Sequence, residues 1–182
     1  MRVIAGEAKG RRLVVPAGGG TRAATDRIRE TLFAILEPRL PGAAVLDLFA
    51  GAGTLGIEAL SRGAAHATFV ERAPGALAAL RRNLETTGLG GRATVVRADA
   101  LAYLDAPVDA DVVFCDPPFA DVAAHGAALA KVAAPGRSIV ARAHRKHLPT
   151  IPPSLRIERT KDVGEERIVL LRYDAGDRKS VV

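Results

Sequence analysis

From Ala43 onward, short apolar runs alternate with alanine- and leucine-rich stretches of helical spacing, and this rhythm restricts the fold more than any single residue does. "AVLDLF", "ATFVE", "ATVVRAD", "DVVFCD" and "RSIVARA" read as strands. "LGIEALSRG", "PGALAALRRNLETTG", "ALAYL" and "DVAAHGAALAKVA" fall between them, mostly with helical character. Strands joined through helices run parallel, and a parallel sheet is covered on both faces. "SLRIERT" and "EERIVLLRY", separated by a short polar turn, predict an antiparallel hairpin at the sheet edge. The expected fold is α/β, with a seven-stranded, mostly parallel sheet. Ahead of it, "RVIAG" and "RRLVVP" flank "EAKG" and predict a β-hairpin with a basic tip over residues 2–15. Thr25 is placed to cap a helix through "DRIRETLFAILE", where Ile28, Leu32, Ile35 and Leu36 share a face and Pro38 ends the element. The expected plan is therefore an extension over residues 1–40, a main domain over 41–176 and a tail over 177–182.

With 182 residues the chain suits one well-buried domain. A single cysteine, Cys115, excludes an internal disulfide framework and a zinc site built from several thiolates. No apolar stretch is long enough to span a bilayer and none follows Met1 as a signal region, so a cytoplasmic protein is expected. No long apolar helix face demands a partner copy, and a monomer is expected. Lys and Arg outnumber Asp and Glu by 26 to 20. The excess gathers at the amino-terminal end: Arg2, Lys9, Arg11, Arg12, Arg22, Arg27 and Arg29 stand against Glu7, Asp26 and Glu30. That end is the expected side for a polyanion such as nucleic acid.

Ligands of parallel sheets bind at the carboxyl ends of the strands. Asp47, Glu71, Asp99 and Asp116 each stand at or near such an end, an acidic rim on a basic protein. The first strand runs into "DLFAGAGTLG", where Gly51, Gly53 and Gly56 have the spacing of a nucleotide-binding turn, with Glu71 placed to hold ribose hydroxyls. Asp47, four residues before the first glycine, would oppose a pyrophosphate but suits a cationic amino group. S-adenosylmethionine, with an amino group and a sulfonium, fits this rim better than a dinucleotide. Asp99 with Ala100 is either an adenine contact or a helix cap. In "DPPF", Asp116 and the Pro117 carbonyl can accept the two N–H groups of an exocyclic amine and aim its lone pair at a methyl group. Pro118 stiffens the loop and Phe119 can stack on a base. This chemistry needs no metal.

"DLFAGAGTLGIEAL" together with "DPPF" resembles the Class I S-adenosylmethionine-dependent methyltransferases that act on amines, a Rossmann-like fold. "RVIAGEAKGRRL", "TRAATDRIRETLF", "DLFAGAGTLGIEALSRG", "FVER" and "CDPPF", in this order, resemble the bacterial family that methylates guanine N2 in small-subunit (16S) ribosomal RNA, often called RsmD. The resemblance implies S-adenosylmethionine as cofactor. It implies cofactor contacts at Thr25, Arg27, Asp47, Phe49, Ala50, Gly51, Gly53, Thr54, Glu71, Arg72, Asp99, Ala100 and Asp116. Asp116, Pro117, Pro118 and Phe119 would hold the target guanine. Lys9, Arg11, Arg12, Arg22 and Arg29 would meet RNA, or else be solvated charge. The implied partner is small-subunit ribosomal RNA, naked or in an assembling ribonucleoprotein particle.

Two departures stand out. "TRAATD" has Ala where the family usually has proline, and the segment between Phe119 and Pro135 is short for the family's substrate-side loop. A second basic cluster, His144 to His147, is either another phosphate contact or a solvated strand end. Other readings of the chain are an amine methyltransferase for DNA or protein, and a non-catalytic RNA-binding assembly factor of the same fold.

Overall fold

A computed structural model describes residues 1–16, 24–117 and 122–174. Its sheet comprises β1 (Ala44–Asp47), β2 (His66–Glu71), β3 (Ala93–Arg97), β4 (Val112–Cys115), β5 (Ser138–His144), β6 (Leu155–Val163) and β7 (Glu166–Tyr173). The strand order is β3-β2-β1-β4-β5-β7-β6. The first five strands pair in parallel, and β7 inserts antiparallel between β5 and the edge strand β6. The expected seven-stranded sheet and its edge hairpin are both present.

Side chains alternate across the sheet, as the two-residue period of a strand requires. Val45, Val112, Phe114, Val140 and Leu170 enter one core. It is covered by α1 (Asp26–Leu36), α2 (Thr54–Ser61) and α3 (Pro74–Thr87) through residues such as Leu32, Ile57 and Leu80. Leu46, Val113, Cys115, Ile139, Ala141 and Leu171 enter the other. This second face lies under α4 (Ala100–Tyr103) and α5 (Val122–Val132). Burial of both faces explains why the parallel strands are apolar throughout.

The α1 helix begins where expected: the Thr25 hydroxyl accepts from the Ile28 N–H at 3.3 Å. It buries Ile28, Leu32, Phe33 and Leu36, and the Phe33 ring meets Phe114 of β4 edge-on, centroids 5.8 Å apart. Pro38 does not stop the chain abruptly, because Glu37–Arg39 continue as a turn of 3₁₀ helix.

The amino-terminal hairpin is slighter than its sequence predicts. Its chain does reverse, with Val3 N–H donating to the Arg11 carbonyl at 3.0 Å, yet only Arg2 and Arg12 form a β-bridge. The reason is competition from the body of the protein. Ile4 and Ala5 donate to the Glu58 carboxylate at 2.8 and 3.0 Å, Ala8 to the Ser61 hydroxyl at 3.0 Å, and Val14 to the Asn83 side chain at 2.7 Å. Gly6 makes the close approach possible: a Cβ there would lie 1.7 Å from the Ser61 carbonyl oxygen.

Arg29 requires a correction. Expected among the RNA-facing cations, it is fully buried and donates to Glu58 at 3.3 Å, to Asp26 at 2.8 Å and to the Arg2 carbonyl at 2.5 Å. Its position in line with Phe33 and Leu36 turns it inward, and the buried Glu58 carboxylate supplies the counter-charge. Arg62 donates to Glu58 from the other side at 2.8 Å. Glu58 thus joins the extension, α1 and α2 at one point. Glu58→Ala is expected to cost about 3–5 kcal/mol, because it strands a buried guanidinium. Urea unfolding of the two proteins checks this, and an unchanged midpoint would contradict it.

Candidate cofactor and catalytic site

The carboxyl ends of β1 and β4 lie side by side, with Asp47 registered against Phe114. The two strands then continue to opposite faces of the sheet, which opens a crevice between their ends. The glycine loop fills one side of it, and each glycine has its own reason. Gly51 is at φ 54°, and apart from its chain neighbours no described residue lies within 4 Å of where a Cβ would stand. Gly53, at φ 77°, starts α2, and a Cβ on it would meet Leu80 at 2.2 Å. At Gly56 a Cβ would lie 2.3 Å from the Phe69 ring, so this glycine lets α2 pack onto β2. Thr54, the first residue of α2, is buried, as is Ala50, while Phe49 is half-buried against the second core.

Asp47 is 2 % exposed, and its carboxylate accepts from the Gly56 N–H at 3.0 Å. Among the described residues no cation pairs with it. Burial pushes its pKa from 3.8 up to about 7; the Gly56 hydrogen bond opposes this rise, whereas the nearby charges of Asp116 and Glu71 add to it. Glu71 braces the loop, accepting from Gly51 N–H at 2.8 Å and from the Arg72 and Ala73 N–H groups at 2.8 and 2.7 Å. Asp99 caps α4, accepting from Leu101 and Ala102, and its second oxygen meets exposed Arg72 at 3.2 Å. Ala100, the first residue of α4, is buried.

Asp116 follows β4 directly, and Pro117 is buried beside it. Pro118 and Phe119 lie outside the described residues, as does Arg22. Two partners of Asp116 escape sequence reasoning. Arg142 of β5 donates from Nε to both Asp116 oxygens at 3.1 Å and from Nη2 to Oδ2 at 2.8 Å. Through Nη1 it also donates to Glu166 of β7 at 3.0 Å. The signal was present: a charge inside the apolar run "SIVARAH" must find a buried counter-charge. His125 of α5 is buried near Asp116; desolvation lowers its pKa, and the charge of Asp116 opposes the shift. Burial raises the Cys115 thiol pKa, which fits an inert strand residue.

Asn83 is a further buried polar residue, set in the apolar stripe of α3 among Leu77, Leu80 and Leu84. Its amide donates to the Ala52 and Val14 carbonyls, each at 2.9 Å, linking the glycine loop to the amino-terminal segment.

The extension residues divide between two places. Lys9, Arg11 and Arg12 are exposed on the hairpin. Thr25 and Arg27 are also exposed and line an open cleft of ≈ 310 Å³ with Ile28, His144, Glu165 and Glu166. This cleft is on the β5–β7 side of Asp116, whereas the glycine loop is on the β1–β2 side. The His144–His147 cluster has the character of a solvated strand end. Arg145 faces Asp162 at 3.8 Å and His144 faces Glu165 at 3.9 Å.

The profile of the family described as "Conserved hypothetical protein 95" matches residues 1–172. Ribosomal RNA small subunit methyltransferase D of Escherichia coli K12 is 46% identical over 120 residues, covering 65% of this chain and 60% of that protein. The protein of the same description from Haemophilus influenzae is 42% identical over 123 residues, covering 65% and 64%. The matched region is thus under two thirds of the length of either relative. A solved Escherichia coli structure described as a candidate methyltransferase superimposes with a TM-score of 0.86 at 36% identity, covering 97% of this chain and 99% of that one. Fold and strand order are those of a Rossmann-like Class I methyltransferase. The chain belongs to the conserved hypothetical protein 95 family, that of the bacterial small-subunit ribosomal RNA methyltransferase D.

Proposed function

We propose that the protein transfers a methyl group from S-adenosylmethionine to the exocyclic N2 amine of a guanine in small-subunit ribosomal RNA. The observation that carries this reading is the placement of Asp116, at the end of β4, beside Asp47 and the glycine loop. Bound there, S-adenosylmethionine supplies an electrophilic methyl carbon on a sulfonium. Gly51 leaves space for its methionyl part, and Asp47 offers a buried negative charge to its amino group. Glu71 keeps acceptor capacity for ribose hydroxyls, and Asp99 and Ala100 border the adenine. Phe49, Ala50, Gly53, Thr54 and Arg72 complete the proposed cofactor contacts, whereas Thr25 and Arg27, expected among them, line the cleft on the other side of Asp116.

The exocyclic amine is a weak nucleophile because its lone pair is delocalised into the ring. Asp116 and the Pro117 carbonyl each accept one N–H, which holds the nitrogen pyramidal with its lone pair directed at the methyl carbon. S-adenosylmethionine would supply the methyl group there, and the methylated amine would release one proton to solvent. Pro118 and Phe119 would stiffen the loop and stack on the guanine. Lys9, Arg11, Arg12 and Arg22 would contact phosphates from the extension over residues 1–40, which docks on the catalytic domain over 41–176. The proposal includes a cytoplasmic monomer acting on RNA, naked or in an assembling ribonucleoprotein particle. No helix among the described residues is long and apolar enough to cross a membrane.

Asp116→Ala is expected to lower kcat by at least ~10²-fold, the scale of losing one preorganised transition-state contact. Cooperative unfolding and S-adenosylmethionine binding should persist; full activity in that variant would overturn the mechanism. Mapping N2-methylguanine in ribosomal RNA from cells with and without the protein tests the substrate. Its complete persistence without the protein would exclude guanine N2 of that RNA.

A second prediction concerns pH. The folded-state pKa of Asp47, about 7, exceeds its ordinary value of 3.8. Its contribution to the stability of the ligand-free protein is therefore fully present below the unfolded value and is lost as pH rises towards 7. A cationic amino group lowers that pKa again, so binding releases a proton and affinity rises with pH between about 5.5 and 7. Calorimetry at pH 6.5 in two buffers of different ionisation enthalpy should detect the proton. Asp47→Asn should abolish the release and flatten the stability difference; equal heats for the wild-type protein in both buffers would contradict the role of Asp47.

A further inference from the structure

Arg142 is 2 % exposed and ties together two carboxylates, Asp116 and Glu166, that come from different strands. Taking an arginine out of water costs several kcal/mol, and apolar packing at such a position is frequently as stable. The geometry points to a use beyond packing, and the inference rests on the methyl-transfer reading. We propose that Arg142 is a positioning residue, a fork that orients Asp116 to accept from the substrate amine, with Glu166 holding the far side of the fork.

The contacts specify which oxygen faces the amine. Asp116 Oδ2 accepts from two Arg142 nitrogens, at 2.8 and 3.1 Å, and Oδ1 from one, at 3.1 Å. Oδ1 keeps the larger acceptor capacity and is assigned to the amine. Around Asp116 stand Asp47 from β1, Cys115 from β4, His125 from α5 and Glu166 from β7, besides Arg142 itself. Two of these are carboxyl groups and the histidine favours its neutral form, so Arg142 is the cation in contact with Asp116 among the described residues. A lysine could preserve the charge but not the planar two-nitrogen grip.

The test compares Arg142→Met, Arg142→Lys and the double variant Arg142→Met/Glu166→Gln with Asp116→Ala, using S-adenosylmethionine and the RNA substrate. Arg142→Met should lose kcat on the order of 100-fold, the scale of a displaced reacting group. Its KM for S-adenosylmethionine should change little, so that the loss falls on kcat. Arg142→Lys should recover part, but not all, of the kcat lost in Arg142→Met. The double variant removes the stranded carboxylate and covers the case in which Arg142→Met does not fold; its kcat should remain low. Wild-type kcat in a folded Arg142→Met or double variant would overturn the proposal. If Asp116→Ala is inactive while those variants are active, only the role of Arg142 falls. If Asp116→Ala is itself fully active, the methyl-transfer geometry falls with it.

Discussion

The parallel pairing of β1 with β4 is the constraint on which the site depends. It sets Asp47 level with Phe114 and so brings Asp47 and Asp116 to the same rim, although they are distant in sequence. From this junction one crossover leads through α2 to β2 and the other through α5 to β5, covering opposite faces. The crevice is thus a product of chain topology, and the glycine loop and the Asp116 segment are its two walls.

Three buried acids show how differently the same group can be treated. Glu58 is neutralised by Arg29 and Arg62 and hydrogen-bonded by two backbone N–H groups, so its role is completed within the fold. Asp116 has a cationic fork on one side and the crevice on the other. Asp47 has a single backbone donor and no cation among the described residues, and its pKa rises accordingly. The acid left without a counter-ion is the one beside the open face of Gly51, which is where a cationic ligand group would relieve the charge.

Much of this was legible in the chain. Alternating strand and helix patterns located the seven strands, and the glycine spacing located the loop, because both depend on local periodicity and local backbone freedom. The amino-terminal hairpin was overestimated because side chains of α2 and α3 take hydrogen bonds that a ladder would have used, and nothing local to residues 2–15 announces this. Arg29 and Arg142 were misjudged or missed for a shared reason. Each sits within an apolar pattern, which signals that it is buried and paired, but the partner lies on another element and only the assembled fold identifies it. Asn83 follows the same rule with hydrogen bonds in place of charge.

The attachment of the amino-terminal segment also bears on the order in which the protein assembles. Ile4 and Ala5 find their acceptor 54 and 53 positions further along the chain, and Val14 finds its acceptor 69 positions away. During synthesis these residues leave the ribosome before their acceptors on α2 and α3 do. Closing such long loops is slow relative to forming local helices, so docking of this segment is expected to follow the formation of both helices. Asn83 holds the Ala52 carbonyl as well as Val14, so the segment docks on the same side chain that braces the glycine loop.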